Sequence, residues 1–130
     1  MKIAVGAEGG GDDPEDGLEA LAYAIKSKWD TQGMKKRQVI VVWTDAATHK
    51  IGYGSSSRFY PNGMPQSLQE LSSWWGGAQQ NGFVDNNAKR LLLFTPDEED
   101  WSLISRNWEN VLHFPSTAGN GLSELEYGQI

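Results

Sequence analysis

An α/β fold in three layers, with a short, mostly parallel sheet of about three strands flanked by helices, is the class this sequence predicts. Stretches with apolar residues at helical spacing alternate along the chain with continuous aliphatic runs. Those runs, VIVVW at Val39–Trp43 and LLLF at Leu91–Phe94, show no polar alternation, as expected of strands buried on both faces of a parallel sheet. The length, 130 residues, suits one domain rather than two.

The elements follow in order. From Pro14 the residues Leu18, Leu21, Ala22, Ile25 and Trp29 recur at helical spacing, which predicts a helix over about 14–29. Asp13 is its expected N-cap and Pro14 its first position, with Glu15 and Asp16 complementing the helix dipole in the first turn. RQVIVVWTD is the first strand. The segment after it, AATHKIGYGSSSRFYPNG, is too rich in glycine, serine and aromatics to be regular. Pro65 opens a second helix, with Leu68, Leu71, Trp74 and Trp75 on its apolar side and Gly76 and Gly77 as its stop. KRLLLFTP is the second strand. Asp97 to Asp100 open a third helix that turns Trp101, Ile104 and Trp108 inward, NVLHFP is a third strand, and GLSELEYGQI a last short helix. That alternation implies right-handed crossovers between parallel strands.

Composition narrows the function. Hydrophobic residues make up 38% and charged residues 22%, the balance of a globular chain. A net charge of −6, with a pI near 4.8, argues against nucleic acid or an anionic membrane surface as a partner. The absence of cysteine excludes disulfides and thiolate metal sites and suits a reducing cytoplasm, the expected location. The opening MKIAVGAEGGG has too short an apolar run for a signal peptide, and no segment reaches the length of a membrane span.

In open α/β sheets, function gathers at the carboxyl ends of the strands. Here those ends are Thr44-Asp45, Thr95-Pro96-Asp97 and Phe114-Pro115-Ser116. Asp45 ends a wholly apolar strand and is either a rim ligand or a cap for the following turn. EGGGDDPEDG, Glu8–Gly17, sets three glycines before a cluster of carboxylates: a tight turn into a helix cap, or a loop presenting a hard-cation ligand. His49 lies four residues after Asp45 and is expected at the same rim. His113 sits in an apolar strand and is expected to bond to backbone. No Gly-x-Ser-x-Gly elbow accompanies GSSSR, so a hydrolase is a remote third reading. Thr48–Met64, with Tyr53, Arg58, Phe59 and Tyr60 among glycines and serines, has the composition of a protein-recognition loop.

In their order and spacing, EGGGDDPEDGLEALAYAI, RQVIVVWTDA and NNAKRLLLFTPDEEDWSLISRNWENVLHFP resemble the later part of a bacterial von Willebrand factor type A domain. The resemblance implies a central sheet flanked by helices, with a magnesium-dependent adhesion site at its carboxyl edge. Carried over residue by residue, Asp45 matches the ligand after the fourth strand and Asp12 the ligand in the glycine loop. The family's Asp-x-Ser-x-Ser motif is missing, so the site is expected to be degenerate, with Mg²⁺ weakly bound or absent. Residues 1–130 then read as a single partial domain, a non-enzymatic protein-binding module with His49, Tyr53, Arg58, Phe59 and Tyr60 facing the partner. The alternative is an assembly fragment. In the family, Gln38–Thr44 pairs on one side with the first strand, here expected to be vacant, and that exposed edge predicts a homo-oligomer.

Overall fold

Four parallel strands form the sheet of this chain, whose computed structural model describes residues 2–6, 16–29, 37–77 and 80–115. In chain order the elements are β1 (Lys2–Gly6), α1 (Gly17–Ile25), β2 (Gln38–Trp43), α2 (Leu68–Trp75), the two-residue strands β3 (Gly76–Gly77) and β4 (Gln80–Asn81), β5 (Lys89–Phe94), α3 (Glu99–Asn107) and β6 (Val111–His113). The main sheet runs β1-β2-β5-β6, and β3 and β4 form a separate antiparallel pair. The α/β class and all three expected strands are present, and β1 is an addition.

That addition changes one expectation. The side of β2 expected to be vacant is filled, in register from Lys2 opposite Val39 to Gly6 opposite Trp43. On its other side β2 pairs with β5 from Gln38–Lys89 to Trp43–Phe94. With both sides hydrogen-bonded, VIVVW is not a free edge, and the reason for expecting self-association through it is removed. KIAVG is short and carries little strand signal of its own, which is why it does not read as a strand from sequence.

The strand order follows the chain order without reversal. Right-handed crossovers taken repeatedly in one direction put every connecting helix on the same face of the sheet. The core agrees. Ile40, Val42, Leu91 and Leu93, all on one face, meet Leu18, Leu21 and Ile25 of α1, Leu71 and Trp75 of α2, and Trp101 and Ile104 of α3 in a single cluster. The three described helices therefore pack on that face. On the opposite face Val41 is buried, Val39, Trp43 and Leu92 are half-buried, and Leu112 is largely exposed.

Local signals set the helix ends. Ser67, rather than Pro65, caps α2: its hydroxyl accepts from Glu70 N at 3.0 Å, while Glu70 Oε2 accepts from Gln66 N. Gly76 ends the helix at φ 86°, a left-handed conformation that glycine adopts without strain. Lys89, fully buried at the start of β5, donates from Nζ to the carbonyls of Trp75 and Gly76 and to Asn86 Oδ1. A buried ammonium thus satisfies acceptors at the end of α2, where the helix dipole favours a cation. The N-cap of α1 is Asp16, three residues later than expected, and the helix closes at Ile25. Trp29 lies beyond it, its indole N–H donating back to the Ile25 carbonyl. Trp108 caps α3 and stacks on Trp75 at 5.7 Å, so its inward placement holds. Asp12, Asp13 and the expected final helix at Gly121–Ile130 lie outside the described residues.

Candidate functional site

Parallel strands end together, so Thr44-Asp45, Thr95-Pro96-Asp97 and Phe114-Pro115 share one edge of the sheet. The N-terminus of α1 reaches this edge because its first residue is glycine. A Cβ on Gly17 would stand 2.5 Å from the Trp101 ring, closer than side chains approach, so the helix backbone lies directly on the indole. Trp101 is fully buried, and its Nε1 donates to the Ala46 carbonyl at 3.3 Å, tying α3 to the turn after β2.

Asp45 occupies that turn and is half-buried. The capping role open to it belongs to Thr44, whose hydroxyl accepts from Ala46 N at 3.1 Å. Among the described residues no side chain pairs with Asp45, and no group of three His, Asp or Glu side chains is placed to hold a metal ion. Of the two metal ligands implied by the resemblance, Asp12 lies outside the described residues. Asp45 alone does not supply the oxygen shell that magnesium requires, and the described residues do not fit the ion.

The Thr48–Met64 loop runs through a succession of tight turns, with backbone bonds from Tyr53 N to Lys50 O, Ser55 N to Gly52 O, Ser57 N to Gly54 O and Tyr60 N to Ser57 O. Three contacts fasten it. His49 Nδ1 donates to Asp16 Oδ1 at 3.0 Å, and its ring stacks on Tyr53 with centroids 3.9 Å apart. Lys50 Nζ meets Asp100 Oδ1 at 2.8 Å and Glu99 Oε2 at 3.7 Å. The hydrogen bond to the buried Asp100 carboxylate, against a smaller desolvation effect, holds the Lys50 ammonium above its ordinary pKa. Glu19 Oε2 accepts from Gly52 N at 2.9 Å and from the Tyr60 hydroxyl at 2.7 Å. Glu19 is only 7% exposed, and its Oε1 is buried without a hydrogen-bond partner among the described residues. Desolvation, reinforced by the hydrogen bond to Glu19, pushes the Tyr60 phenol up to about 12.

These contacts divide the five expected partner-facing residues. Tyr53 and Phe59 are 71% and 81% exposed, and the Arg58 guanidinium lies over the Phe59 ring, 4.9 Å from its centroid. His49 and Tyr60 turn back into the fold as anchors. Tyr60, expected to face a partner, instead packs against a buried carboxylate. Beside it a groove of about 460 Å³ opens, walled by Ile51, Tyr60, Pro61, Met64 and Pro65. Away from the loop, His113 bonds to backbone as expected, Nε2 donating to the Thr95 carbonyl at 3.0 Å.

Sequence reasoning missed Glu19, Asp16 and Asp100 as the anchoring carboxylates. The signal for Glu19 was its place on the flank of the α1 apolar face, next to Leu18 and three residues before Ala22. No family model, no curated protein and no solved structure matches the chain. No helix among the described residues is long and apolar enough to cross a membrane.

Proposed function

We propose that this chain is a non-enzymatic protein-binding module whose recognition surface is the Thr48–Met64 loop. The carrying observation is the pairing of two opposite features in one short segment. Tyr53 and Phe59 hold large aromatic surface out to solvent, while the loop beneath them is fixed to α1 and α3 through Asp16, Glu19 and Asp100. An exposed aromatic on a floppy loop loses conformational entropy on binding. A pre-fastened loop incurs much less of that cost, and Tyr and Phe give contact area with only two side-chain torsions to freeze. The resemblance to von Willebrand factor type A domains is in keeping with recognition at the carboxyl edge.

A photo-crosslinking amino acid placed at Phe59 tests the reading, with the exposed position Glu109 as a control. In extracts of the source organism, a discrete adduct from position 59 that disappears on Tyr53→Ser is expected. Equal adducts from both positions, or none from position 59 while the variant keeps its melting temperature, would overturn it.

A further inference from the structure

Resting on that reading of the loop, we infer that its occupant is a linear peptide segment of a partner protein, with an acidic side chain beside an apolar one. The argument begins with charge. The chain contains 17 acidic residues against 11 lysines and arginines, yet the Thr48–Met64 loop contains no acidic residue at all. Its two cations have different fates. Lys50 is neutralised by Asp100 and Glu99. Among the described residues no carboxylate meets Arg58, whose guanidinium lies over the Phe59 ring.

An arginine held over an aromatic ring keeps its N–H donors available, and the guanidinium fork suits two-point recognition of a carboxylate. Next to it Ser55, Ser56 and Ser57 are exposed and add hydroxyl donors. Two residues further on, Tyr60 lines the groove with the apolar Ile51, Pro61, Met64 and Pro65 and the polar Ser55, Asn62 and Gln66. The tip is therefore rich in donors, has no carboxylate of its own, and offers apolar contact area through Tyr53, Phe59 and the apolar residues of a mixed groove. The net charge of −6 does not oppose this at close range, since exposed charges beyond about 8 Å are screened at physiological salt. A basic segment would instead leave Arg58 facing like charge.

Selection from a displayed library of random linear peptides on the full chain tests the inference, followed by fluorescence polarisation with the selected peptides. Enrichment of Asp or Glu next to an apolar residue is expected. Arg58→Ala should weaken a selected peptide by on the order of tenfold or more, as loss of a charge-assisted bond does, and Arg58→Glu should shift selection toward Lys and Arg. Because Arg58 is exposed, both variants should keep the wild-type melting temperature. Peptides that need Tyr53 and Phe59 but show no acidic preference would overturn the inference and leave the recognition loop standing. Peptides whose binding ignores the loop, or no enriched peptide at all, would remove both.

Discussion

The Tyr60 hydroxyl donates to Glu19 Oε2 at 2.7 Å, joining the Thr48–Met64 loop to the first turn of α1 across 41 positions of sequence. The same carboxylate oxygen receives Gly52 N at 2.9 Å. A buried acid thus organises a loop that has no regular secondary structure of its own. Tyr60→Phe leaves that oxygen one donor short and should cost about 1.5–3 kcal/mol, the range for hydrogen bonds to charged groups. Tyr53→Ala and Phe59→Ala, at the exposed tip, should stay within about 0.5 kcal/mol of wild type. Urea unfolding of the three variants decides it; equal midpoints for all three would deny the anchor.

Alkaline titration gives a second test of the same contact. The folded pKa of Tyr60 is raised from 10.0 to about 12 by desolvation first and by the bond to Glu19 second. Because the folded value lies above the unfolded one, this group's contribution to stability is complete below pH 10 and is lost as pH rises toward 12. Ultraviolet difference titration should therefore show a tyrosine ionising near pH 12 that is missing from Tyr60→Phe. Loss in the variant of a tyrosine ionising near pH 10 instead would place Tyr60 in ordinary solvent.

Gly17→Ala should destabilise the fold although alanine is the better helix former. The new methyl group would meet the buried Trp101 ring at 2.5 Å, and neither α1 nor α3 has slack there. Overpacking of this kind costs about 1–3 kcal/mol. Thermal unfolding measures it, and a stabilised variant would show that the helix and indole do not touch as described.

Lys89→Met should lower stability, because the Trp75 and Gly76 carbonyls at the end of α2 and Asn86 Oδ1 lose their donor together. Its pKa is lowered by burial, with Glu109 opposing weakly. For a folded value below the unfolded 10.5, stability from this group rises with pH between the two values and falls again as pH drops through the folded one. The difference in urea midpoint between wild type and variant should accordingly widen as pH climbs toward 10.5. A difference that stays constant over that range would mean the ammonium is not desolvated.

How far the sequence reveals this molecule depends on the range of the interaction concerned. VIVVW and LLLF declare buried strands because every residue in the run reports the same environment. Trp101 and Ile104 declare the inner face of α3 by spacing alone. β1 is harder to see: five residues, two of them alanine and glycine, gain their strand character from pairing with β2 rather than from propensity. The helix start at Asp16 was displaced because Asp13-Pro14 is a good local capping signal. At the site, the exposed aromatics are legible from composition, whereas their anchors are not. Glu19 finds Gly52 and Tyr60 at separations of 33 and 41 residues, and Lys50 finds Asp100 at 50. A carboxylate in a helix gives no local sign of a partner that far along the chain.

The loop leaves the fold at Trp43, the last residue of β2, and re-enters it at Leu68, the first of α2, so both ends are set by rigid elements. Closing such a segment becomes only about 0.6 kcal/mol more costly each time its length doubles. Provided His49, Lys50, Gly52 and Tyr60 keep their attachments, the stretch from Tyr53 to Phe59 can be lengthened, shortened or rewritten with little consequence for the sheet. The chain is in this sense a mounting with an interchangeable head. Divergence among descendants, or deliberate redesign, has a place to act where new specificity and the survival of the fold are nearly independent.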